Sequence, residues 1–231
     1  HGLNMNLIQD IAMIRVTERL AYEYCARFGH DDVEFITGSF PFLGAWAPGE
    51  DEANAMIAWN TIIPVMGGFP GVILKCQDEA LATPTKEGMA RSVRLARHML
   101  TLMGTQRMPE NDALAQEEAM IEAEVRAVLE MCLDVADGDM AEGLCRGVEA
   151  GWIDTMVTPW KYNNGKVLVV RDAENALRYL DTGDIPLPKE VKDFHREKIA
   201  EREKRDGRKA DFDMVVKDIQ FASILPKPGI Q

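Results

Sequence analysis

Two hydrophobic periods alternate along the first hundred residues, and their order limits what this chain can fold into more than any other feature. Leu7, Ile8, Ile11, Ile14, Leu20 and Tyr24 recur at helical spacing, which predicts an amphipathic helix near 6–28. Val33-Glu34-Phe35-Ile36-Thr37 follows as a short strand pattern, rich in β-branched and aromatic residues. A loop punctuated by Gly and Pro, Gly38 to Gly49, leads to a second helical pattern near 50–66. Gly67-Gly68-Phe69-Pro70 breaks that pattern, and Val72–Lys75 reads as a second strand. Thr83-Pro84-Thr85-Lys86-Glu87 then looks like the entry to a further helix, with Pro84 early, where its missing donor costs little. Repeated βα units of this kind imply a parallel sheet, either open and doubly wound or closed into a barrel. In both architectures ligands sit beyond the carboxyl ends of the strands. The Phe40–Pro48 loop and the Lys75–Glu79 segment leave such ends and should open onto one face.

Past Gly104 the chain reads as mainly helical, with helices over Leu114–Val135 and Asp139–Ala150. An irregular stretch, Asp154 to Lys166, precedes a strand-like Val167–Val170 that ends at Arg171-Asp172. Helices near 173–181, 188–205 and 211–220 are expected to close the chain. The formal net charge of −12 argues against a nucleic-acid partner, since phosphate binding needs a basic face. The richest basic run, Arg202 to Lys209, is interleaved with acids and reads as a solvated helix end. Cys25, Cys76, Cys132 and Cys145 are scattered, which suits a reducing cytoplasm and offers no zinc set. No apolar run approaches the roughly 20 residues that span a bilayer. The chain opens on His1 rather than methionine, with helical periodicity almost at once, as a piece of a longer polypeptide would.

The candidate chemistry lies in Gly71-Val72-Ile73-Leu74-Lys75-Cys76-Gln77-Asp78-Glu79-Ala80, an apolar run that ends in a lysine with a glutamate four positions on. A charge at the end of a buried strand must be paired or bound to a ligand, because desolvating it alone is costly. One reading is a Lys75–Glu79 ion pair at a barrel rim. The other is a clamp on vicinal hydroxyls such as those of a ribose, the carboxylate accepting and the ammonium donating. Trp46, in the loop at the same end, either plugs the loop down or lays a flat face over a ring system. Gly67-Gly68 lacks the spacing of a phosphate loop. Asp193-Phe194-His195 could suggest a metal or cobalt ligand, but among Lys192, Arg196, Glu197 and Lys198 it reads as the exposed face of a helix.

Several segments together resemble the large, E (epsilon) subunit of glutamate mutase (methylaspartate mutase): His1 to Asp10, Lys75 to Glu79, Pro84-Thr85-Lys86-Glu87, Gln106-Arg107-Met108-Pro109, Lys161-Tyr162-Asn163 with Gly165-Lys166, and Arg171-Asp172. The resemblance runs through almost the whole chain and matches roughly the C-terminal half of that subunit. It implies α/β architecture, the C-terminal half of a TIM (β/α) barrel with a mainly helical C-terminal extension. Residues 1–172 would supply C-terminal βα units, incomplete without an N-terminal half, and residues 173–231 the extension. It implies adenosylcobalamin as cofactor and a radical rearrangement of the carbon skeleton between L-glutamate and L-threo-3-methylaspartate. A separate small cobalamin-binding S subunit would be the partner, since the Asp-x-His-x-x-Gly motif of that subunit is broken here by Lys198. By position, the resemblance implies that Lys75 and Glu79 contact the adenosyl ribose, and that Trp46 and Thr83 are further cofactor-binding residues. The arginine cluster that grips the substrate carboxylates would belong to the N-terminal half, so the expected assembly is a cytoplasmic hetero-oligomer. Two departures stand out. Phe40-Pro41-Phe42-Leu43 replaces a His-Gln-Trp-Met-like run, which leaves a related substrate or a non-catalytic scaffold as alternatives. The ending Ile224-Leu225-Pro226-Lys227-Pro228 replaces a Gly-Arg-rich one.

Overall fold

The computed structural model describes residues 2–156, 158 and 160–223, so His1 and the departing Ile224–Pro228 ending lie outside the described residues. The chain parts into two compact units, one of residues 1–118 with 219–231 and the other of residues 119–218. Its class is α/β, with helices dominating and, among the described residues, two small sheets, one parallel and one antiparallel.

In the first unit, helix α1 (Leu7–Arg27) starts where the Asn6 side chain accepts a hydrogen bond from Gln9 N, one of the orphan amides of a first turn. It buries Ile11, Ile14, Leu20 and Tyr24 of the predicted stripe and adds Ala12 and Val16, while Leu7 and Ile8 are only part-buried. Strand β1 (Gly38–Ser39), helix α2 (Glu50–Gly67) and strand β2 (Gly71–Val72) follow, and β1 pairs β2 in parallel with Gly38 opposite Gly71. The ladder runs past the strand ends through Gly71 N to Thr37 O and Ile73 N to Ser39 O. On the opposite side of β1, Gly2 bridges Phe40 in parallel and Leu3 N donates to Phe40 O. Three parallel segments, near 2–3, 37–40 and 71–73, are thus joined in order through α1 and α2. Among the described residues they form an arc and close no barrel. The buried Asn60 of α2 braces the arc, since its side-chain Nδ2 donates to Ile73 O and its main-chain carbonyl accepts from Ser39 Oγ.

The first strand does not fall on Val33–Thr37, where β propensity put it. Pairing begins at Gly38, and the reason is steric: a Cβ on Gly38 would stand 2.4 Å from Gly71 O. Only glycine allows that approach, so tertiary pairing overrides the preference of the branched residues before it. Phe35 instead packs edge-on against Tyr22 and donates its amide to the Tyr22 hydroxyl.

Helix α3 (Lys86–Met103) ends at Gly104, and helix α4 (Asp112–Val135) begins in this unit. The core is built on Leu3, Ile11, Ile14, Ile57 and Ile63, all fully buried. A cluster of Phe42, Trp46, Ala47, Ala53, Met56 and Ile57 packs the long loop onto α2, with Leu74, Leu95 and Phe221 against it.

The second unit holds the rest of α4, then α5 (Met140–Ala150), a hairpin of β3 (Leu168–Arg171) and β4 (Leu177–Asp181), α6 (Lys189–Asp206) and most of α7 (Phe212–Gln220). Val167, Ile185, Leu187 and Val191 form its core with Val128, Val169 and Tyr179. The helix expected near 173–181 is a correction: β4 occupies that stretch. Asp172 Oδ1 accepts from the amides of Glu174 and Ala176, and Asn175 takes a left-handed φ of 73°. That side-chain-built turn reverses the chain before the helix formers that follow can propagate. No described helix is long and apolar enough to cross a membrane.

Candidate functional site

The carboxyl end of β2 is where geometry and chemistry meet. Beyond Val72 the chain runs through Leu74 and Lys75 into a 3₁₀ turn, Gln77–Ala80, whose N-cap is the fully buried Cys76. Cys76 and Glu79 cap each other. The thiol accepts from the Glu79 amide, and Glu79 Oε2 accepts from Cys76 N at 3.1 Å. The other carboxylate oxygen makes no hydrogen bond among the described residues, and the side chain is exposed.

The turn is pinned to the start of α3. The Thr85 hydroxyl donates to Asp78 Oδ2 at 2.6 Å while accepting from Gly88 N at 3.0 Å. That hydroxyl bond is the main reason the Asp78 carboxyl sits below its ordinary value. A Cβ on Gly88 would lie 2.4 Å from Asp78 Oδ2 and 2.7 Å from Cys76 Sγ, so a glycine is what lets the helix end approach. With its amide oxygen turned to Arg91, the buried Gln77 accepts from that guanidinium at 2.8 Å.

Lys75 is held from the other side, by the long loop. Its ammonium lies 5.1 Å from the centroid of the Trp46 ring and donates to Phe42 O at 3.4 Å, a long bond. No ion pair joins Lys75 to Glu79 among the described residues, so the rim ion pair, one of the two readings of the sequence, is not formed. Instead an ammonium with donor capacity to spare and a carboxylate with a spare acceptor leave the same strand end. That combination suits a neutral diol, which offers both hydroxyl oxygens and hydroxyl hydrogens.

The other sequence candidates fall as follows. Trp46 is 8% exposed and packed in the Phe42–Ile57 cluster, and its buried Nε1 has no hydrogen-bond partner among the described residues. Thr83 is exposed, past the turn, and makes no hydrogen bond among the described residues. In the run Phe40 to Leu43, Pro41 and Phe42 face inward while Leu43 stays 64% exposed. Sequence reasoning missed the supports, Asp78 and Gly88, although Thr85 three residues before Gly88 is a readable N-cap signal.

His195 is a second correction. It is 4% exposed rather than on a solvated face, with Nε2 2.8 Å from Glu124 Oε1 and the ring edge-on to Tyr179. Burial raises the Tyr179 hydroxyl far above its ordinary value. Arg202, within the run read as solvated, also turns inward to Asp218.

The family model described as Methylaspartate mutase E chain (MutE) matches residues 1–224. Over 219 residues the chain is 40% identical to the glutamate mutase epsilon subunit of Desulfitobacterium hafniense (strain Y51), covering 95% of this chain and 45% of that protein. It is 37% identical to the glutamate mutase epsilon subunit of Yersinia enterocolitica, with 96% and 46% covered, and 30% identical to that of Haloarcula marismortui, with 99% and 47% covered. The chain spans about half the length of the curated relatives it matches.

Proposed function

Because this chain belongs to the methylaspartate mutase E chain family, we propose that it forms the C-terminal part of the large subunit of an adenosylcobalamin-dependent glutamate mutase, with Lys75 and Glu79 holding the ribose of the adenosyl group. The observation that carries this reading is that, among the described residues, neither of those two side chains has an ion-pair partner, and each keeps hydrogen-bonding capacity at one strand end. When bound, the cofactor supplies the radical that starts an interconversion of glutamate and 3-methylaspartate. Lys75 donates from its ammonium to a ribose oxygen, and the second oxygen of Glu79 accepts from a ribose hydroxyl. Both bonds are charge-assisted, the stronger class of hydrogen bond. The capping contact with Cys76 fixes the Glu79 carboxylate before any ligand arrives. Thr83, just before Pro84, is assigned a further contact to the cofactor by its place in the family pattern.

In this reading the parallel arc, within the 1–172 stretch assigned to βα units, is part of a TIM barrel that an N-terminal half completes. Both outer edges of the arc lack a neighbouring strand among the described residues, and apolar side chains stand exposed along it: Ile36 at 82% and Ile73 at 57%. Both line a cavity of about 500 Å³ with Ile14 and Gly38, a surface suited to burial by further strands and helices. The small cobalamin-binding subunit and the arginine-bearing half are then the partners, in a hetero-oligomer in the cytoplasm.

The test uses the full-length large subunit assembled with its small subunit. Lys75→Met and Glu79→Gln should each weaken adenosylcobalamin binding about tenfold or more, the loss of a charge-assisted hydrogen bond. Methylcobalamin, which has no ribose on its upper face, should bind as before. Equal losses for both cobalamins, or none for either, would overturn the assignment.

A further inference from the structure

We infer that Trp46 is a positioning residue that acts through Lys75 and does not itself touch the nucleoside. The inference rests on the reading of Lys75 as a ribose ligand and changes the part played by its neighbour. A residue that stacks on a ligand ring must offer an open aromatic face. The indole here is 8% exposed, walled by Phe42, Ala47, Ala53, Met56 and Ile57, and the Lys75 ammonium stands over its ring. A flat base and an ammonium cannot share that face.

Lys75 in turn has little else to fix it. Four rotatable bonds let a lysine head wander, and among the described residues the only hydrogen bond made by this one is the 3.4 Å contact with Phe42 O. Both restraints come from the long loop, so the loop acts as a bracket for one ammonium. A cation over an indole face keeps all three N–H donors for other acceptors, because the attraction is to the ring quadrupole and consumes no hydrogen-bonding partner. Trp46 therefore aims Lys75 without spending the donors that a sugar needs. Among the described residues its buried Nε1 has no hydrogen-bond partner, so packing is what holds the ring.

The experiment is a double-mutant cycle read as adenosylcobalamin affinity in the assembled full-length enzyme, with thermal midpoints recorded in parallel. Trp46→Leu should weaken binding about 2- to 30-fold, the range of a cation–π contact at a partly desolvated site. In a Lys75→Met background the same change should cost less than about twofold, because the effect runs through the ammonium. Trp46→Phe should fall between wild type and Trp46→Leu. Should Trp46→Leu fail to fold, tryptophans fluorinated at position 46 keep the packing while draining the ring quadrupole. Affinity should then fall stepwise with fluorine number, and only while Lys75 is present.

A merely structural Trp46 would show no such gradient, and that result overturns the inference. So does a full loss in the Lys75→Met background, which would mean that the indole contacts the nucleoside directly. If Lys75→Met alone leaves adenosylcobalamin affinity unchanged, the ribose assignment falls and this inference falls with it.

Discussion

Two strand segments in this chain run into charge, one in each compact unit, and they resolve it in opposite ways. In the second unit β3 ends at Arg171-Asp172. There the Asp172 carboxylate pairs with Arg178 at 2.7 Å, with side chains 1% and 2% exposed, and its other oxygen takes two turn amides. Arg171 donates to Asp218 O and Asn175 O, while Asp218 is gripped by Arg202. These charges meet partners within the unit, as buried ionic groups must if the fold is to tolerate them. In the first unit the segment after β2 ends at Lys75, which lies over an indole, makes one long hydrogen bond and has no carboxylate partner among the described residues. Local sequence looks alike at the two ends. On the proposed reading, what separates a structural charge from one held for a ligand is whether the surrounding fold has already spent its hydrogen bonds.

The contrast predicts unequal costs. Asp172→Ala should be the most damaging, about 3–5 kcal/mol of stability by chemical denaturation, because it removes the carboxylate that the buried Arg178 guanidinium pairs with. A loss under about 1 kcal/mol would erase the distinction. Gly88→Ala comes next, at about 1–3 kcal/mol, since its Cβ must displace Asp78 and Cys76. It should also weaken adenosylcobalamin binding by moving the Glu79 turn, and unchanged affinity would separate that turn from the site.

A second saturated carboxylate sharpens the comparison. Burial pushes Asp154 up, but amides of Gly165, Lys166 and Val167 outweigh it and hold the carboxyl below its ordinary 3.8. A folded value below the unfolded one contributes stability that is present above pH 3.8 and lost as pH falls through the folded value. Asp154→Asn should cost about 1–2 kcal/mol at neutral pH and flatten that acid limb, as urea titrations at stepped pH would read. The smallest effect belongs to Lys75→Met, at most about 1 kcal/mol, because only an aromatic contact and a long hydrogen bond are lost. A large drop in midpoint there would make Lys75 structural after all.

The helices of the first unit could be read from periodicity and caps, with α1, α2 and α3 close to where the spacing put them. Lys75 and Glu79 were legible as a pair because charge at the end of an apolar run is anomalous locally. Whether they bond each other was not, since that depends on the Cys76 amide and on a ring 29 residues back in the chain. Distance along the chain explains the misses as well. The partner of His195 is Glu124, 71 residues away, and Arg202 turns inward for Asp218, 16 residues on. No window of local propensity contains both members of either pair. The strand β4 was hidden for another reason: Ala173, Glu174, Ala176 and Leu177 favour helix, and only the Asp172 side chain and the left-handed Asn175 overrule them.

The reciprocal cap at Cys76 and Glu79 has a consequence for how fast and how cheaply a sugar could be caught. A carboxylate moored by one oxygen has already surrendered its rotamer freedom during folding, so docking adds little ordering cost on that side. On the proposed reading the remaining adjustment would fall on a single flexible alkyl arm, and one lysine settling against an indole already in place would set the tempo of capture.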